Sequence, residues 1–128
     1  EFNELCRTPL IHLMSDQSLD DMGGTQRLGN YDCELLEGTK AQSLYGKNLI
    51  QQRHRHRYEF NNKYKDVLQQ HGLIISGRNP ERDLVEIIEL KDHPYFVAAQ
   101  FHPEFASRPN RSEPLFQGFI TAACQNKK

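Results

Sequence analysis

A chain of 128 residues, 37% hydrophobic and 26% charged, is one domain's worth of sequence with enough apolar material for a modest core, which excludes a disordered tail. A net charge of -1 excludes global steering toward nucleic acid or an anionic membrane, and no apolar run approaches the roughly 20 residues of a membrane span. Three cysteines without CxxC spacing (Cys6, Cys33, Cys124) exclude a disulfide framework and a cysteine zinc site, and no signal peptide is read at the start, so the expected setting is reducing and cytoplasmic.

Residues 9–14, "PLIHLM", read as a short buried strand, and 15–22, "SDQSLDDM", as an exposed loop. "GGTQRLGNYDCELL" alternates over part of its length and carries Gly23, Gly24 and Gly29, which predicts two short strands or one bent strand over about 24–36. Residues 41–46 read as a short helix or turn ending at Gly46, and 49–58 as a strand. A helix is expected over 61–72, with Asn61 or Asn62 as its cap and Gly72 at its stop. Three strands follow from Leu73, Leu84 and Tyr95, and their short turn-rich connections "RNPERD" and "KDHP" favour an antiparallel meander. A last helix is expected from Ser112, as cap, to Asn126, with Leu115, Phe116, Phe119, Ile120 and Ala123 on its apolar face and Lys127 and Lys128 at its negative end. The expected core includes Leu68, Ile74, Val85, Ile87, Val97, Ala99, Phe116 and Phe119.

Two stretches suggest chemistry. "FVAAQFHPEF" ends an apolar strand with His102 and Glu104 two residues apart. In an extended chain, residues i and i+2 project to the same side, so the carboxylate would hold one ring nitrogen and leave the other as a base. Pro103 is expected to keep this pair extended. The competing reading is a solvated loop. In "RHRHRYE", an extended chain places Arg53, Arg55 and Arg57 on one face and His54, His56 and Tyr58 on the other. The guanidiniums suit carboxylate or phosphate binding, and the alternative is a solvated edge strand. A nucleic-acid surface needs wider basicity than the neighbours supply, and zinc on His54 and His56 lacks further ligands. The lone His12, His71 and His93 read as surface or capping residues, and "GGTQRLG" is neither a Walker A loop nor a dinucleotide fingerprint. No metal or cofactor ligand set is identified.

"MGGTQRLG", "QQRHRHRYEFNN", "LVEIIEL", "HPYFVAAQFHPEF" and "PLFQGF" occur in an order and spacing that resembles the CTP synthase family, over about residues 9–124. The matching region is the C-terminal half of the family's class I glutamine amidotransferase (glutaminase) domain. The implied fold is α/β and flavodoxin-like, a mixed sheet with flanking helices. The "MGGT-x-RLG" and "RHRHRYE" blocks are characteristic of this family, whereas "FHPE" is shared among class I amidotransferases.

The resemblance implies that His102 and Glu104 belong to a Cys-His-Glu triad and that Arg57 holds the amino-acid end of L-glutamine. It implies ammonia release to a synthase domain that converts UTP to CTP with ATP and Mg, activation by GTP, and a homotetramer in the full enzyme. No nucleic acid or membrane partner is implied. The family's nucleophile stands on a G-x-C-x-G elbow, and no such motif is present. Residues 1–128 are therefore expected to be a partial glutaminase domain, with the elbow, the oxyanion loop and the early parallel strands upstream of Glu1. The alternative is a catalytically silent glutaminase-like binding module.

Overall fold

The computed structural model describes residues 5–13 and 27–126; Met14, the loop expected over 15–22, Gly23, Gly24 and residues 127–128 lie outside the described residues. Period-two burial is clearest in one strand. From Leu49 to His56 the chain buries Ile50, Gln52 and His54 and exposes Leu49, Gln51, Arg53 and Arg55, which is what one covered face dictates. This is strand β3; before it come β1 (Ile11–Leu13), β2 (Arg27–Leu35) and helix α1 (Lys40–Tyr45). After it come β4 (Tyr58–Phe60), α2 (Lys65–Gln70), β5 (Leu73–Asn79), β6 (Leu84–Leu90), β7 (Val97–Ala99) and α3 (Pro114–Gln125).

A five-stranded sheet runs in the order β3-β2-β5-β6-β7, and β1 pairs with β4 in a two-stranded sheet. Every pairing among the described strands is antiparallel, and the expected β5-β6-β7 meander is present. One core cluster joins Cys33, Leu35, Ala41, Ile50, Ile87, Phe101 and Leu115, and a second joins Phe60, Ile75 and Val85 under Leu68, Leu73 and Ile88. Between β2 and β6 the register of β5 shifts at Gly77. A Cβ there would meet Ile87 Cγ1 at 2.8 Å and Cys33 Sγ at 2.9 Å, so only glycine lets these side chains close over the strand.

Several expectations are corrected. β1 is not buried: Ile11 is 48% exposed, and among the described residues the strand pairs only with the short β4. Of the two alternatives for 24–36, the described part is the single strand, nine residues long with Gly29 at φ 101 inside it, and not two short ones. The helix expected over 61–72 splits into a 3-10 turn at Asn62–Tyr64, capped by Asn61, and a six-residue α2 with no buried residue. β7 is shorter than the apolar run that predicts it, since the chain bends at Gln100. Helix α3 is capped by Glu113, not Ser112; the Glu113 side chain accepts from Leu115 N at 2.9 Å.

The buried face of α3 also differs from the expected one. Leu115 and Gly118 are buried, whereas Phe116 and Phe119 are 41% and 54% exposed. A Cβ on Gly118 would meet Leu44 Cδ1 at 2.7 Å, so the helix docks on α1 and Tyr95 through a glycine that carries no hydrophobic signal. Of the expected core, Val85 and Ile87 are buried and Leu68, Ile74, Val97 and Ala99 are half-buried. No helix among the described residues is long and apolar enough to cross a membrane.

Candidate functional site

His102 stands where the chain leaves β7 and enters a 3-10 turn, Pro103–Phe105. Its own backbone, at φ -107 and ψ 87, stays out of the helical region, which a following proline disfavours. Pro103 then starts the turn, because its fixed φ suits a first helical position. The pair is therefore formed across a tight turn, not along an extended chain as expected. His102 Nδ1 lies 2.7 Å from Glu104 Oε1. A carboxylate only accepts, so Nδ1 carries the hydrogen and Nε2 is left as the basic nitrogen. The hydrogen bond from His102 holds the Glu104 carboxyl below its ordinary value. Both side chains are open to solvent, at 38% and 54% exposure. Two contacts fix the turn on the sheet: His102 N donates to Arg53 O at 3.0 Å, and the Arg53 guanidinium lies 5.7 Å from the Phe105 ring centroid.

The basic stretch supplies both a surface and an interior. Arg53 and Arg55 are exposed on β3 while His54 is buried, so the expected alternation holds to His56. It breaks at Arg57, a half-buried bend residue between β3 of the large sheet and β4 of the small one. Register places Arg27 opposite His56 in one sheet and Leu13 opposite Tyr58 in the other. Arg57 is therefore the joint between them, and it does not continue the Arg53–Arg55 face.

Under that joint lies a buried polar chain that the sequence patterns do not reveal. Arg27 Nη1 is 2.5 Å from Glu86 Oε1, and Glu86 Oε2 faces His54 Nε2 at 3.4 Å. His54 Nδ1 meets His56 Nε2 at 2.9 Å, and His56 Nδ1 meets Tyr58 O at 2.9 Å. Arg27, His54 and Glu86 are 2%, 1% and 1% exposed. Burial pushes His54 down to about 3, aided by the Arg27 charge. Burial likewise takes His56 down to about 4, against the raising effect of the Tyr58 carbonyl. Burial raises Glu86 to about 6 against the opposing pull of Arg27. The only signals in the sequence are the period-two placement of His54 and His56 on one face and a carboxylate between Val85 and Ile87.

The remaining candidates are structural or peripheral. Cys33 is fully buried and burial raises its thiol far above the ordinary range, so it is no thiolate; Cys6 and Cys124 are exposed. His71 caps α2 through Nδ1 to Val67 O at 2.7 Å, and His93 Nδ1 accepts from Tyr95 N at 3.1 Å. A groove of about 500 Å³ beside β2 and β5 is lined by Glu34, Lys65, Gln69 and Arg78 and excludes His102. Among the described residues no cluster of three or more His, Cys, Asp or Glu is arranged for a metal ion.

The family model for glutamine amidotransferase class-I matches residues 7–122. A CTP synthase of Chloroflexus aggregans is 57% identical over 126 residues, covering 98% of this chain and 23% of that protein. One from Treponema denticola is 57% identical over 127 residues, covering 99% of this chain and 24% of that protein. The chain thus spans about a quarter of the length of these relatives. Among solved structures, the glutaminase domain of Trypanosoma brucei CTPS with bound acivicin matches with TM-score 0.88 and 33% identity, covering all of this chain and 50% of that one.

Proposed function

Because the chain belongs to the class I glutamine amidotransferase family, we propose that it is part of the glutaminase domain of a CTP synthase, releasing ammonia from glutamine for the ATP-dependent conversion of UTP to CTP. The observation that carries the reading is the His102–Glu104 pair, held at 2.7 Å and pinned to β3 through Arg53 O. In this reading Glu104 orients the ring and stabilises the imidazolium, and His102 Nε2 moves the protons. Arg57 holds the glutamine carboxylate, a role that a planar guanidinium fork suits.

The nucleophile in this reading is a cysteine outside residues 1–128, as half coverage of the Trypanosoma brucei glutaminase domain supports. Its thiolate attacks the amide carbon of glutamine. The C–N bond breaks as the imidazolium gives its proton to the leaving nitrogen, and ammonia departs from the thioester. His102 then takes a proton from water, hydroxide adds to the thioester, the C–S bond breaks, and glutamate leaves with the thiolate restored. The 128-residue chain on its own is expected to release no ammonia. ATP with Mg, UTP and the activator GTP are assigned to no residue of this chain.

The full-length protein, given glutamine labelled at the amide nitrogen together with UTP and ATP, should place the label in CTP. Label that never leaves glutamine, while free ammonia still supports CTP formation, would establish the silent glutaminase-like module instead.

A further inference from the structure

The hydrogen-bond chain under the Arg57 joint has one direction. A carbonyl only accepts, so His56 Nδ1 donates to Tyr58 O at 2.9 Å. A neutral His56 then offers Nε2 as acceptor, and His54 Nδ1 donates to it at 2.9 Å. His54 Nε2 and Glu86 Oε2 lie 3.4 Å apart, each without a hydrogen-bond partner among the described residues, so the hydrogen-bonded run is His54–His56–Tyr58 and the Arg27–Glu86 ion pair packs beside it. The groups that surround the two imidazoles come from several elements. Arg27 and the Tyr31 ring are on β2, Glu86 is on β6, and the Phe101 ring and His102 lie after β7. The Arg27 guanidinium also stacks 4.2 Å from the Tyr31 ring centroid.

The last link is the informative one. His56 reaches past Arg57 to the carbonyl of Tyr58, so a ring anchored in the sheet fixes the backbone on both sides of the bend. Among the described residues, the β2–β3 ladder runs to the Arg27–His56 pair, one residue short of the bend. We infer that His56, held by His54, is a positioning residue that sets the bend at Arg57 and thereby the affinity for glutamine. The inference rests on the reading of Arg57 as the glutamine-carboxylate contact.

The test uses the full-length protein and steady-state kinetics with glutamine and, separately, with ammonia. His56→Gln keeps a polar side chain but loses the Nδ1 donor, and the Michaelis constant for glutamine should rise on the order of 10-fold with kcat and ammonia-dependent CTP formation unchanged. His56→Asn returns an N–H near the Nδ1 position and should recover most of the loss. Arg57→Lys should raise the same constant through loss of the planar fork. If Arg57→Lys leaves the constant unchanged, the Arg57 assignment fails. If Arg57→Lys raises it and His56→Gln does not, the positioning role alone is overturned. It is also overturned if ammonia-dependent activity falls in parallel, or if His56→Asn is as impaired as His56→Gln. Should His56→Gln not fold, His54→Phe removes the donor to His56 at similar ring volume; a raised glutamine constant with intact ammonia use supports the positioning role, and a wild-type constant overturns it.

Discussion

His102 Nδ1 lies 2.7 Å from Glu104 Oε1 across a single proline. Replacing Glu104 with Gln keeps the volume and removes the charge that would stabilise an imidazolium. Glutamine-dependent turnover is expected to fall on the order of 10²-fold or more, with ammonia-dependent CTP formation unchanged. Thermal stability should hardly move, since exposed ion pairs contribute about 0–1 kcal/mol. Equal loss with both nitrogen sources in a steady-state assay would assign the pair a structural role.

Gly77 tests the packing by which side chains of β2 and β6 close over β5, the strand between them. An alanine Cβ would sit 2.8 Å from Ile87 Cγ1 and 2.9 Å from Cys33 Sγ, neither of which can swing away into solvent. Gly77→Ala should destabilise the domain by about 1–3 kcal/mol, and Cys33→Ala in the same chain should relieve part of that. Denaturant unfolding monitored on β5 and β6 amides decides it; an unchanged midpoint would contradict this account of the core.

The buried imidazoles set a pH dependence with a definite sign. His54 and His56 are depressed from 6.5 to about 3 and about 4 by burial, so their contribution is full above 6.5 and is lost as pH falls below it. Glu86 acts oppositely: raised from 4.5 to about 6, its contribution is present below 4.5 and lost as pH rises through about 6. Two histidines outweigh one carboxylate, so amide-exchange protection of β3 should fall between pH 7 and pH 5. The fall should shrink when both histidines are replaced by Asn. An identical fall in that double variant would show that other groups carry the titration.

What is legible in the sequence follows from where its signals are local. Period-two patterning marks β3, short apolar runs between turn residues mark β5 and β6, and the Gly46 end of α1 obeys a capping rule that needs no tertiary context. The pairing of His102 with Glu104 is legible, but its cause is not, because Pro103 opens a turn as readily as it preserves an extended chain. Hydrophobicity points to the wrong face of α3 because the contact is made by Gly118, whose value is the absence of a side chain. The Arg27–Glu86–His54–His56 chain joins β2, β6 and β3, and such a non-local polar network has no pattern in any one window.

The central claim is that His102 moves protons for glutamine hydrolysis and does nothing for the synthase reaction. Its most direct measurement is CTP formation by full-length His102→Ala with glutamine and with ammonia as alternative nitrogen sources. The account requires glutamine-dependent formation to vanish while ammonia-dependent formation stays near wild type, since free ammonia bypasses the triad. Glutamine-dependent formation that survives in His102→Ala, or loss of both activities together, would contradict it.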